Sequence, residues 1–217
     1  MKCICCGKNG SILNVCRECQ KKYLSVDFTS SRCSNCGKKL ISEEDLCFEC
    51  RENRVLSSVD SVFPIFSYSI WKKDLLFMWK MQGARLYAFF FAKKIFEVYK
   101  QKFAGLSIVP IPPRPQKILK TGWDQIHDIQ MILEFFYRVP IVHLLKRTEK
   151  EQQKKRNRQE RLSHTGTDYV FEGKTVPESV VLIDDILTTG VTIETCSRIL
   201  KKNGVKKVHA ITVFIAS

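Results

Sequence analysis

Nine of the ten cysteines fall within the first fifty residues, and eight of them form four Cys-x2-Cys pairs: Cys3/Cys6, Cys16/Cys19, Cys33/Cys36 and Cys47/Cys50. The gaps inside the two sets are nearly equal, nine and ten residues, so the segment reads as an internal duplication. Each pair offers two thiolates from one turn, and two pairs complete a tetrahedral site of four sulfurs for zinc. Gly7 and Gly37 follow the leading knuckles, where a tight turn benefits from a residue without Cβ. A segment so poor in large apolar residues cannot close a core alone, and metal supplies the missing stability. The competing reading, a disulfide framework, does not suit a reduced compartment. The spacing therefore predicts a double ribbon over residues 1–52 with two structural Zn2+, followed by a second domain over 53–217. Closed four-thiolate sites leave no coordination position for water, so both ions are expected to be structural. Cys5 is expected to be a bystander, and Cys196 a core residue.

The chain has 217 residues, enough for one ordinary core beside the ribbons. No apolar run reaches membrane-spanning length and the start, "MKCICCGKNG", has no apolar signal stretch, so the expectation is a cytoplasmic protein without membrane insertion. Lys and Arg number 36 against 22 Asp and Glu, a formal net charge of +14. Eight thiolates and two Zn2+ would lower it to about +10, still enough to favour an anionic partner.

The stretch "SVVLIDDILTTGVTIETCSRIL", residues 179–200, carries the chemistry of the second domain. Val180, Val181, Leu182 and Ile183 suit a strand covered on both faces, as in a parallel sheet. Asp184 and Asp185 then fall at its carboxyl end, where open α/β sheets place their ligands. Thr188, Thr189, Gly190 and Thr192 form a turn into a helix from about Val191 to Asn203, with Gly204 as its stop. Amide groups at a helix start, with hydroxyls and a permissive glycine, cradle a phosphate dianion. Two carboxylates would repel that phosphate, but they suit the hydroxyl pair of a ribose. Helix capping would need one Asp and no such set of threonines. The combination reads as a ribose 5-phosphate site.

Between ribbons and motif, residues 51–60 read as a polar connector and 62–70 as a strand. Helices follow over "WKKDLLFMWKMQG" and "LYAFFFAKKIFEVYKQK", with Leu75, Leu76, Met78, Trp79, Phe89, Phe90, Ile95, Phe96 and Tyr99 expected in the core. Leu106–Ile111 reads as a strand running into a proline-rich loop, then a helix from near Trp123. Between Lys146 and Arg161 stand eight Lys/Arg and three Glu, a net +5 with little to bury.

"VLIDDILTTGVT" resembles the 5-phosphoribosyl-1-pyrophosphate (PRPP) loop of type I phosphoribosyltransferases. With the ribbons, the resemblance narrows to the ComF family of competence-associated phosphoribosyltransferase-like proteins and covers nearly the whole chain. Where that family reads "VPVPLHPRRLRERGFNQ", this chain has "VPIPPRPQKILKTGWDQ", with Pro110, Pro112, Pro115, Gly122 and Gln125 matching. Arg114, Thr121 and Asp124 replace a histidine, an arginine and an asparagine, which weakens this side for pyrophosphate. The family's basic loop carries glutamine and two arginines at the offsets of Gln153, Arg158 and Arg161.

The resemblance implies an α/β fold: a type I phosphoribosyltransferase-like parallel sheet flanked by helices, preceded by a small double zinc-ribbon domain. It implies PRPP, or a related phosphosugar, bound with Mg2+ by Asp184, Asp185, Thr188, Thr189, Gly190 and Thr192, with Arg158 and Arg161 facing the pyrophosphate. It further implies cytoplasmic handling of incoming single-stranded DNA in natural transformation, beside a DNA helicase or a recombination protein. The other reading is an active phosphoribosyltransferase whose acceptor no residue identifies.

Overall fold

The computed structural model describes residues 2–11, 13–68, 71–113, 115–148 and 168–216. After short helices α1 (Arg17–Tyr23) and α2 (Phe48–Glu52), the chain runs β1 (Ser61–Tyr68), α3 (Lys72–Met81), α4 (Leu86–Lys102), β2 (Ser107–Pro110) and α5 (Pro115–Thr121). Then come α6 (Gln125–Tyr137), β3 (Leu145–Arg147), β4 (Tyr169–Phe171), β5 (Ser179–Leu187), α7 (Val191–Lys202) and β6 (Lys207–Ala216).

The main sheet is parallel, in the order β1-β6-β5-β2. A parallel bridge from Ile108 to Ile141 continues it beyond β2. The apolar run of β5 is divided by parity. Val181 and Ile183 join the layer of α3, α4 and α6 around Trp79, Phe91, Ile95 and Leu133. Val180 and Leu182 join the opposite layer, with Ile193, Cys196 and Leu200 of α7 and Leu144, Leu145 and Tyr169 of the β3–β4 hairpin. Alternating side chains thus reach two helical layers, which is why the run is continuously apolar.

The two ribbons dock in different places. Cys3, Val15, Cys19 and Leu24 pack into the α3–α4 layer, where the Tyr87 hydroxyl donates to the Leu13 carbonyl at 2.9 Å. The four cysteines of the second ribbon instead share the α7 layer. This ribbon also covers the β1 edge of the sheet. Arg32 donates to the carbonyls of Pro64 and Gly37, both at 2.9 Å, and to that of Asp27 at 2.8 Å. At Gly37, φ +73°, any Cβ would lie 2.1 Å from the Val62 carbonyl oxygen, so the approach requires glycine.

Several expectations need correction. Residues 115–121 form a helix where the proline run predicts a loop, and α6 starts at Gln125 behind an Asp124 cap. Phe89 is 52% exposed, because it lies on the side of α4 away from the sheet and meets Phe136 edge-on. The connector is polar except at Val55, Leu56 and Val59, and Leu56 is only 4% exposed. Cys196 is buried in the core as expected.

Candidate functional site

In each ribbon four sulfurs converge. The Sγ atoms of Cys3, Cys6, Cys16 and Cys19 lie within 4.8 Å of one another, as do those of Cys33, Cys36, Cys47 and Cys50; Cys5 joins neither set. Cys6 and Cys16 are 3.8 Å apart and Cys36 and Cys47 3.7 Å. Zn–S bonds of about 2.3 Å in a tetrahedron demand an S···S edge of about 3.8 Å, so both sets fit the ion. Burial opposes ionisation of Cys33, but amide groups of Cys36, Cys47 and Asn35 outweigh it and bring the thiol down to about 7. Burial pushes Cys50 up to about 12. Thiols crowded this closely titrate apart when alone, and a divalent cation would hold all four as thiolates.

This geometry predicts two zinc ions per chain. Cys16→Ser should release one of them and loosen the first ribbon, because an oxygen replaces one of four sulfurs while the second ribbon docks elsewhere. Metal analysis of freshly purified, reduced protein checks this, and a stoichiometry of one or none in the parent would refute it.

The second site is a cavity of about 350 Å3 at the carboxyl ends of β2 and β5. Asp184, Asp185, Thr188 and Thr192 line one side, Ile111, Pro112, Pro113, Lys117 and Asp124 another, and Lys80, Arg147 and Tyr169 close it. Parallel pairing of Pro110 with Ile183 brings the proline-rich loop beside the two aspartates. Thr189 and Gly190 face a neighbouring cavity on the ribbon side, which Thr188 also lines. Arg158 and Arg161, with Gln153 and Arg114, lie outside the described residues.

The aspartates differ. Asp185 holds Lys80 Nζ at 2.6 Å. Asp184 accepts the Asp185 amide at 2.8 Å, and burial, followed by the negative charge of Asp185, raises its carboxyl well above the usual carboxylate range. Gly190 starts α7 with φ +80° and ψ −11°, and no side chain among the described residues caps the helix. The first amides of α7 are therefore open to a ligand, and the glycine supplies the left-handed turn that aims them.

The other wall modifies what the sequence implied. Asp124 does not stand free toward the cavity: its Oδ1 accepts the amides of Ile126 and His127 at 2.9 and 3.1 Å, and Lys117 binds its Oδ2 at 2.8 Å. Lys117 also donates to Gln125. Arg147 binds Asp168 at 3.0 Å and lies over the Tyr169 ring. Among the described residues the cavity thus has three cationic side chains, Lys80, Lys117 and Arg147, each holding a carboxylate. Sequence reasoning misses all three. Lys117 sits inside the proline-rich motif and Arg147 at the start of the basic stretch, whereas Lys80 carries no local signal.

A parallel sheet with this strand–loop–helix at the carboxyl end of an inner strand defines a phosphoribosyltransferase-type domain. A family profile described as "Phosphoribosyl transferase domain" matches residues 142–216, the part that contains β5, α7 and β6. Over nearly its whole length, ribbons included, the chain is similar to two proteins named as competence proteins. It is 28% identical over 229 residues to Competence protein ComFC of Streptococcus pneumoniae (strain ATCC BAA-255 / R6), covering 98% of this chain and 99% of that protein. It is also 28% identical over 204 residues to Competence protein ComFC of Bacillus subtilis (strain 168), covering 88% and 79%. Orotate phosphoribosyltransferase from Aeropyrum pernix, 16% identical, superposes with a TM-score of 0.37, covering 91% of this chain and 80% of that one. Among the described residues no helix is long and apolar enough to cross a membrane.

Proposed function

We propose that this chain is a cytoplasmic factor of natural transformation that handles incoming single-stranded DNA and binds PRPP, or a related phosphosugar, with Mg2+. The observation that carries the phosphosugar reading is one cavity uniting a carboxylate pair, two threonines and the uncapped start of α7. In this reading Asp184 and Asp185 accept the ribose hydroxyls, while the α7 amides with Thr188 and Thr192 hold the 5-phosphate and Thr189, on the neighbouring cavity, shapes the same turn. Lys117 and Arg147 stand on the walls that the pyrophosphate would face. Because each described cation of the cavity already holds a carboxylate, a ligand with about five phosphate charges needs further positive charge. Mg2+ supplies it, and Arg158 and Arg161 of the basic segment add to it. The DNA reading is supported by the net charge of +14 and by the competence homologues. A helicase or recombination protein is the partner that such a step requires.

The proline-rich wall beside the aspartates favours a second reading, transfer of ribose 5-phosphate to an acceptor. One experiment separates the two: pyrophosphate release from Mg2+-PRPP across an acceptor panel, beside single-stranded DNA binding at two salt concentrations. Binding of both ligands without release supports the handling role. Turnover with any acceptor establishes the transferase, and failure to bind either ligand refutes the proposal.

A further inference from the structure

Between the second cysteine cluster and the phosphate loop lies a cavity of about 400 Å3, lined by Cys36, Cys47 and Cys50 on one side and by Thr188, Thr189 and Gly190 on the other. The six residues after Cys50's helix cross this gap, and their contacts run in both directions. Asn35, inside the Cys33–Cys36 knuckle and 6% exposed, donates its Nδ2 to the Leu56 carbonyl at 2.6 Å. Its Oδ1 lies 3.4 Å from Cys50 Sγ. The Leu56 side chain packs under Gly190: a Cβ built there would lie 3.0 Å from Leu56 Cδ2 and 3.7 Å from Val55 Cγ1. The next two residues grip the helix behind the loop. Amides and hydroxyls of Ser57 and Ser58 donate to the Glu194 carboxylate in the first turn of α7, at 2.7 to 2.9 Å. The four cysteines, Leu56, Leu187 and Ile193 belong to one apolar cluster, whereas Cys3 and Cys19 of the first ribbon belong to the other.

We propose that the second cysteine cluster sets the shape of the phosphate loop, with Asn35 and Leu56 as the positioning residues that transmit it. A glycine in the left-handed region tolerates many backbone angles, so the loop needs an external template to stay aimed. Leu56 is that template. It is fixed from the ribbon side by a buried hydrogen bond whose removal would orphan a buried carbonyl. Metal in the second cluster keeps the knuckle, and therefore Asn35, in place. The first ribbon has no such route, because it docks on α3 and α4. The inference rests on the phosphosugar reading only for what the loop binds.

The test is hydrogen exchange of amides 188–193 in the full chain, with zinc content and ribose 5-phosphate affinity measured on the same samples. Asn35→Ala and Leu56→Ala should keep both zinc ions yet speed exchange there by about tenfold. They should weaken ribose 5-phosphate binding by a similar factor. Leu56→Met, which refills the space under Gly190, should restore parental exchange, as a general drop in stability would not. Cys50→Ser should lose one zinc and accelerate the same amides. Cys16→Ser should lose one zinc and leave them unchanged. If Cys50→Ser fails to fold, the Asn35 and Leu56 variants decide. Unchanged exchange in both, or equal acceleration in Cys16→Ser, overturns the coupling. A parent that ignores ribose 5-phosphate while Asn35→Ala still accelerates exchange supports the coupling and overturns the phosphosugar reading alone.

Discussion

Asp184→Ala combined with Asp185→Ala should abolish the thermal stabilisation that Mg2+-PRPP gives the parent. A ligand present at a hundredfold excess over its Kd stabilises by about 2.7 kcal/mol, so the shift to be abolished is several degrees. The variant should fold, because neither carboxylate holds the sheet together. The sign of the pH dependence follows from Asp184. Its folded carboxyl binds a proton more tightly than an unfolded one, chiefly because burial disfavours the charge. Between the ordinary aspartate range and its raised value, the folded state therefore carries the extra proton, and Asp184 costs stability as pH rises. Its removal should make the variant relatively more stable toward alkaline pH. Removing Asp185 leaves Lys80, 29% exposed, without its partner, at a cost between the about 1 kcal/mol of an exposed pair and the about 3 kcal/mol of a buried one. Differential scanning fluorimetry with and without ligand, at about pH 6 inside that window and about pH 9 above it, checks both parts. A PRPP-induced shift that survives in the double variant would detach these residues from the ribose.

Replacing Lys154, Lys155, Arg156 and Arg158 with alanine should flatten the salt dependence of single-stranded DNA binding. These residues place four positive charges within five positions. Each single-strand phosphate that the protein no longer neutralises lowers the slope of log K against log salt by about 0.7, so four such phosphates would account for about 2.8. Affinity should accordingly fall steeply at low salt and only slightly at high salt. If Arg158 also serves PRPP, the variant binds PRPP more weakly as well, and the two ligands compete in the parent. Independent binding would move the DNA to the ribbons or to the Lys201–Lys207 surface. Fluorescence anisotropy at several salt concentrations measures the slope, and an unchanged slope with unchanged affinity would exclude this segment as the DNA-binding element.

Where local pattern and tertiary environment agree, the fold is legible in the sequence. α4 runs over Leu86–Lys102 and α7 over Val191–Lys202, with Gly204 at φ +103° just beyond, all close to what periodicity and stop residues imply. The cysteine sets are legible because ligand spacing is itself the geometry of a knuckle. α5 escapes because Pro112, Pro113 and Pro115 together suggest a loop, although a proline is well suited to the first position of a helix, where its missing N–H does no harm. By sequence Asp124 reads as a charge facing pyrophosphate, and only the start of α6 reveals it as a cap held by Lys117. Lys80, Arg147 and Tyr169 reach the cavity from elements far apart in the chain, a placement that no local window contains. Leu56 looks like one of three apolar residues in an otherwise polar connector, and its role depends on Gly190, more than a hundred residues later.

The covered edge of β1 bears on solubility. An outermost strand offers a row of unmatched amides and carbonyls to any other extended chain, and sheets that leave such rows bare tend to aggregate. Here two unlike guards stand on the same strand. Pro64 contributes no amide at all, a permanent gap in the row that only an edge position tolerates. Arg32 occupies the Pro64 carbonyl from the ribbon, and Gly37 brings the knuckle backbone against Val62. The first guard is written into the covalent chain and holds in any state of the protein. The second lasts only as long as the ribbon keeps its shape, so a metal held by the four cysteines of that knuckle would also keep the sheet from being extended by a stranger.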